Sequence, residues 1–385
     1  MKSLVFDIET DGLTPTKIFC LSILDVDKEE QFNFRPKQIH EGMELLSSAD
    51  KLIGHNIIGF DIPVIERLYG INLINKKIID TLVLSRLFNP IRALHSLRAW
   101  GDTLKFPKLE FENFDRFSEK MMTYCAQDVF LNYKVYEALK RESRGFTSES
   151  VDLETETYKI ITHQRMHGLK IDVPRTHQLL LMFENKLAET EDKVHETFKP
   201  KKETREIFRQ YTQEGKLGKL GIDSEGLQTR LKDNEYEAFK NGSESTTRVT
   251  YKDFNLASRQ QIGEYLQDFG WKPNEFTPTG QPKVDETVLS TVKDIPEAAL
   301  IAEYLMFQKR VALIKSWLSF SNYGRVHGGV NSNGTITGRM THKDPNLAQV
   351  PSVSSPYGKE CRSCWTVPRG YKLVGIDASG LELRM

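Results

Sequence analysis

The chain has 385 residues, 39% hydrophobic and 28% charged, which is enough apolar material for two or three domains with cores of their own. Lysine plus arginine equals aspartate plus glutamate at 53 each, so net charge argues neither for nor against a nucleic-acid partner, and a neutral chain can still carry a basic groove. Four cysteines (Cys20, Cys125, Cys361, Cys364) make no disulfide framework, no run of 18 apolar residues occurs, and no signal-peptide core opens the sequence; these point to a soluble protein of a reducing compartment with no membrane partner.

Residues 1–145 alternate strand-like and helix-like runs. MKSLVFDIET reads as a buried strand, Asp11-Gly12 as a turn, and 18–26 as a second apolar strand. Residues 41–48 look helical, and 51–56 form a strand running into a loop. Asp61 is placed to N-cap the next helix, with Pro63 in its first turn. A long helix is expected from a Ser118 cap to Glu142. This is an α/β layout around a mixed sheet. A second helical region, 150–195, breaks at Gly168 and restarts at Asp172-Val173-Pro174.

Residues 196–253 are charged and poor in apolar side chains, and read as an insertion or mobile subdomain. Helices resume after Phe254, with a strong one from Pro296 to about Phe320. After Gly324 short strands and loops follow, ending in a buried strand, 373–377, that delivers Asp377. Cys361 and Cys364 form a CxxC without a second Cys or His pair to complete a zinc site.

The strand at 1–10 turns Asp7 and Glu9 to one face, about 7 Å apart. Two carboxylates so placed can hold Mg²⁺ or Mn²⁺, although the pair alone also suits two solvated charges at a strand end. Asp61 lies at a loop-to-helix junction near Asn56, and the i, i+4 spacing of Tyr124 and Asp128 puts both on one helix face. Four carboxylates and a phenol suit a two-metal phosphodiester hydrolase, with Tyr124 holding the attacking water. Asp80, in Ile79-Asp80-Thr81, is read as a helix cap rather than a metal ligand.

The motifs FDIET, NIIGFD and YCAQD resemble, in order and spacing, the three motifs of proofreading 3′–5′ exonuclease domains, the DEDD group with tyrosine in its third motif. Beyond them, FNLASRQQI (254–262), with Thr279-Gly280 and Val284-Asp285-Glu286, resembles the thumb of family A (Pol I-type) DNA polymerases. TGRMT (337–341) through Pro345-Asn346-Leu347-Ala348-Gln349-Val350-Pro351 is similar to that family's primer–template-binding segment, and the run from Gly375 resembles its motif A. Taken together, the motifs most resemble the T-seven-like phage branch.

The resemblance implies a ribonuclease H-like exonuclease domain (1–145), a mainly α thumb (146–325, with a variable insertion at 196–253) and an incomplete α+β palm (326–385). It implies two Mg²⁺ or Mn²⁺ ions per site, held by Asp7, Glu9, Asp61 and Asp128 in the first and by Asp377 and the Ala378 carbonyl in the second. Glu382 would screen the sugar 2′ position, and Arg259, Arg339, Asn346 and Gln349 would contact DNA. The implied partners are a single-stranded 3′ end, a primer–template and a thioredoxin-like processivity factor at the insertion, in the cytoplasm of an infected bacterial host. The fingers and the second catalytic aspartate of the family have no counterpart in the sequence. Polymerase activity is therefore expected only with a second polypeptide that carries them; the alternative is a non-catalytic DNA-binding or assembly subunit of a split polymerase.

Overall fold

The computed structural model describes residues 2–376 and 378–380, arranged as two compact units: Met1–Val173 with Trp317–Met385, and Pro174–Ser316. In chain order the first unit begins β1 (Ser3–Thr10), β2 (Ile18–Asp25), β3 (Glu30–Phe34), α1 (Ile39–Ser47), β4 (Lys51–Gly54), α2 (Asp61–Tyr69), β5 (Lys77–Asp80), α3 (Thr81–Phe88), α4 (Leu97–Thr103), α5 (Glu119–Glu142), α6 (Ser148–His167) and β6 (Leu169–Lys170).

Five of these strands form a mixed sheet in the order β3-β2-β1-β4-β5. β1 runs antiparallel to β2 and parallel to β4. Side chains alternate across β1 as a pleated strand requires. Leu4, Phe6 and Ile8 face the core shared with Ile39, Met43 and Leu46 of α1 and Ile62 and Ile65 of α2. Val5 points the other way, into a cluster with Val129 and Tyr136 of α5. Asp7 and Glu9 follow the parity of Val5, so the apolar alternation that anchors β1 also aims both carboxylates at α5. The β1–β2 register shifts between Glu9 and Thr10, an irregularity of the kind that re-aims side chains beside sites.

α5 starts at its Ser118 cap, whose side chain accepts from Met121 N. Its buried stripe runs Met121, Met122, Cys125, Asp128, Val129, Asn132 and Val135, a helical period in which Asp128 occupies an apolar position. α2 differs from expectation at its start. Phe60 is the N-cap and Asp61 the first helical residue, because the Asp61 carboxylate turns to β1, where it accepts from Ile8 N at 3.3 Å. Asp80 does cap its helix, accepting from Leu82 N and Val83 N of α3.

The second unit holds most of α7 (Val173–Thr197), then β7 (Lys201–Tyr211), β8 (Leu217–Asp223), β9 (Gln228–Arg230), α8 (Asp233–Lys240), β10 (Ser245–Lys252), α9 (Arg259–Asp268), α10 (Glu286–Ser290) and most of α11 (Pro296–Ser319). Val194, Phe198, Phe254, Ile262, Leu266, Trp271, Leu289, Ile301 and Leu305 make its helical core. The stretch expected as an insertion or mobile subdomain forms a sheet, β10-β7-β8-β9, with α8 beside it. Its long antiparallel ladders satisfy the backbone, and Ile207 and Phe239 supply buried anchors, so few apolar residues suffice.

The chain then returns to the first unit through β11 (Ser321–Asn322), β12 (Arg325–Val326), β13 (Gly329–Asn331), β14 (Thr341–Lys343) and α12 (Gly358–Arg362). β12 pairs with β6, and Ile171 bridges Trp365. The buried strand expected at 373–377 does not form over its described part. Residues 371–376 have no regular structure, and Leu373, Val374 and Ile376 are exposed. A strand needs a neighbour for its backbone groups, and no described strand pairs with this segment. No described helix is long and apolar enough to cross a membrane.

Candidate active site

Asp7 and Glu9 come from β1, Asp61 from the first turn of α2, and Asp128 from mid-α5, with Tyr124 one turn earlier on the same face. Ligand atoms of Asp7, Glu9 and Cys125 lie within 4.8 Å of one another. Asp61, Glu9 and Asp128 all stand close enough to Asp7 to raise its pKa, so the four carboxylates converge on one place. Glu9, Asp61 and Asp128 are buried.

Burial is the largest influence on each carboxyl. It lifts Asp7 well above the usual range, with Asp61, Glu9 and Asp128 pushing it further in the same direction. Glu9 is raised to about 8 by burial and then by Asp128. Asp61 reaches about 7 despite the stabilising N–H of Ile8. Asp128 is also raised by burial, against the pull of Lys108. Like charges gathered in a low-dielectric place behave this way until a cation neutralises them.

Asp128 is held on one side only. Its Oδ2 lies 2.5 Å from Lys108 Nζ, while Oδ1 is buried with no hydrogen-bond donor among the described residues. A buried, unsatisfied carboxylate oxygen on a residue that belongs to a cluster of four carboxylates fits a hard divalent cation. Cys125 is a poor candidate for the same role. Its thiol donates to the Asp7 carbonyl at 3.4 Å, and burial keeps it protonated by raising its pKa. Burial likewise raises the Tyr124 phenol, which keeps its proton, and the Lys108 ammonium lies 4.7 Å from the centre of its ring.

Beside the cluster a cavity of roughly 700 Å³ is lined by His55, Asn56, Arg86, His95, Arg98, Lys108 and Tyr124. Lys108, His55 and Arg98 escaped sequence reasoning. They lie outside the three acidic motifs, and Lys108 sits in an irregular stretch whose pattern carries no signal.

The other expected residues fall elsewhere. Arg259 opens α9 in the second unit. Arg339 lies between β13 and β14, in a turn where Gly334 N donates to its carbonyl at 3.0 Å and its own N–H donates to Thr335 Oγ1 at 2.9 Å. Asn346 accepts from Ala348 N and caps the short 3-10 turn Leu347–Gln349 that contains Gln349. Ala378 is exposed, and Asp377 and Glu382 lie outside the described residues.

Residues 4–104 match the RNase H superfamily, and residues 225–385 match DNA polymerase family A. The chain is 30% identical to the DNA-directed DNA polymerase of Escherichia phage T7, over 99% of this chain and 68% of the relative. The same values hold for the DNA-directed DNA polymerase of Enterobacteria phage T3. DNA polymerase I of Pseudomonas aeruginosa is 30% identical over 43% of this chain and 18% of its own length. Among solved structures, the POL domain of Pol1 from M. smegmatis, in complex with DNA primer-template and dNTP, superposes with a TM-score of 0.67 at 14% identity. That likeness covers 96% of this chain and 56% of that one, and it concerns the fold.

Proposed function

The chain belongs to DNA polymerase family A, and from that membership we propose that its RNase H-like domain is a proofreading 3′–5′ exonuclease acting on DNA 3′ ends. The observation that carries this reading is the gathering of Asp7, Glu9, Asp61 and Asp128 into one cluster, in which Asp128 Oδ1 is buried without a hydrogen-bond partner among the described residues. Two Mg²⁺ or Mn²⁺ ions held by these four carboxylates would activate water and stabilise the leaving oxygen.

The chain's own residues do the rest. Tyr124 keeps its phenolic proton and orients the attacking water. The water oxygen bonds to phosphorus, the bond from phosphorus to the 3′ oxygen of the preceding nucleotide breaks, and a nucleoside 5′-monophosphate leaves. Arg86, Arg98 and Lys108 give the adjoining cavity the positive lining a single strand needs. On the strength of their motifs, Arg259, Arg339, Asn346 and Gln349 are assigned to primer–template contacts. Asp377 and Ala378 are assigned to the polymerase metals, and Glu382 to sugar selection.

The first prediction tests the nuclease. Asp7→Ala combined with Glu9→Ala should slow Mg²⁺-dependent degradation of single-stranded DNA by at least about a thousandfold, since catalysis here is mostly electrostatic. Degradation at the unmodified rate would remove the assignment.

A further inference from the structure

Lys108 lies on a stretch without regular structure between α4 and α5, yet its surroundings hold it firmly. Phe106 N donates to Gly101 O at 2.9 Å, and Gln127 Nε2 donates to Pro107 O at 2.9 Å. Gly101 makes the approach possible, because a Cβ there would stand 2.8 Å from Phe106 O and 3.1 Å from Lys108 N. Lys105 takes a left-handed φ of 53°, which turns the chain inward. Phe111 and Phe114 then pack their rings against Tyr124, at 5.5 and 6.2 Å between centroids. The Lys108 side chain is 18% exposed. Its ammonium meets Asp128 Oδ2 at 2.5 Å and lies 4.7 Å from the centre of the Tyr124 ring. A flexible surface lysine has no such anchoring.

We propose that Lys108 is a positioning residue of the nuclease site, tying Asp128 and Tyr124 into one unit and lending the carboxylate cluster a fixed positive charge that a metal ion must work against. The proposal rests on the exonuclease reading for the reaction, though its charge effect can be measured without it. A mobile lysine would cost entropy at every turnover, whereas this one is ordered beforehand by the backbone around it.

The test uses the full chain with Lys108→Ala, Lys108→Met and Lys108→Arg. Single-turnover degradation of single-stranded DNA by the Ala and Met variants should slow about 10–100-fold, the usual cost of losing a group that orients a metal ligand. The DNA concentration for half-maximal rate should stay within about threefold, and Lys108→Arg should recover part of the loss. Adding Tyr124→Phe to Lys108→Ala should cost less than the sum of the two changes. Mn²⁺ alone, titrated by electron paramagnetic resonance, should bind the Ala variant at least about threefold tighter, because a neighbouring positive charge has gone.

An unchanged rate would overturn the proposal. So would a loss confined to half-saturation, which would make Lys108 a phosphate grip, or a joint loss of rate and Mn²⁺ binding, which would make it a prop for the loop. Should the unmodified chain degrade no DNA with Mg²⁺, the exonuclease reading falls, and the Mn²⁺ titration still decides what the charge of Lys108 does.

Discussion

His55 shows how far one buried side chain can depart from its ordinary chemistry. Burial, then the charges of Lys108 and Arg86, hold its pKa down at about 3. Its Nδ1 lies 2.9 Å from Thr81 Oγ1, and that hydroxyl in turn donates to Asn132 Oδ1 at 2.7 Å. The folded imidazole is therefore neutral, while the unfolded one titrates near 6.5. A base with a depressed folded pKa contributes stability above pH 6.5 that is lost as pH falls, because unfolding then takes up a proton. Between pH 7 and pH 5 the native chain should lose about 1 kcal/mol more than His55→Gln, allowing for partial exposure. Thermal denaturation of both proteins at the two pH values checks this; parallel shifts would contradict it. Asp7, Glu9 and Asp128 were legible because strand and helix periods dictate which way they point. The capping role expected of Asp61 was not, since its carboxylate obeys a long-range bond to Ile8 N rather than the local rule. Lys108 was illegible for a related reason: a loop has no period to read.

At the scale of elements, β7 to β10 look unpromising in sequence and are nonetheless ordered. Arg248 reaches across from β10 to the N-terminal turn of α8, donating through Nε to Glu235 Oε1 at 2.7 Å and through Nη2 to Glu235 Oε2 at 2.6 Å. The same guanidinium donates to Thr229 Oγ1 at 2.6 Å and to the Arg230 carbonyl at 2.8 Å. Side-chain exposures of 13% for Arg248 and 2% for Glu235 place the pair where a lone charge would be costly. Arg248→Ala should destabilise this sheet by about 3 kcal/mol, and Arg248→Met with Glu235→Leu by much less. Hydrogen exchange of the β7 and β8 amides reports the difference, and equal exchange in the two variants would contradict it. Composition missed this sheet because hydrophobic count measures only one source of order. The opposite error arose at 371–376, where a strand-like apolar run has no described neighbour to pair with.

Over the whole molecule, the first unit is built from two stretches of chain separated by the entire second unit. β6 and β12, the bridge from Ile171 to Trp365, and the bond from Asp172 N to Cys364 O at 2.8 Å join those stretches. A single proteolytic cut in the loop between β7 and β8 should therefore leave residues 1–173 and 317–385 together on gel filtration; separation of the fragments would show the junction too weak to hold. The split also sets an order of events on the ribosome. The five strands of the central sheet and the helix bearing Asp128 are all translated before α6 begins, so the carboxylate cluster can assemble early. β6 emerges next and waits without a partner strand among the described residues through synthesis of the entire second unit until Arg325 and Val326 appear. Throughout that interval the nascent chain carries a finished carboxylate cluster and an unpaired strand, and the strand is what a chaperone or a neighbouring nascent chain would find first.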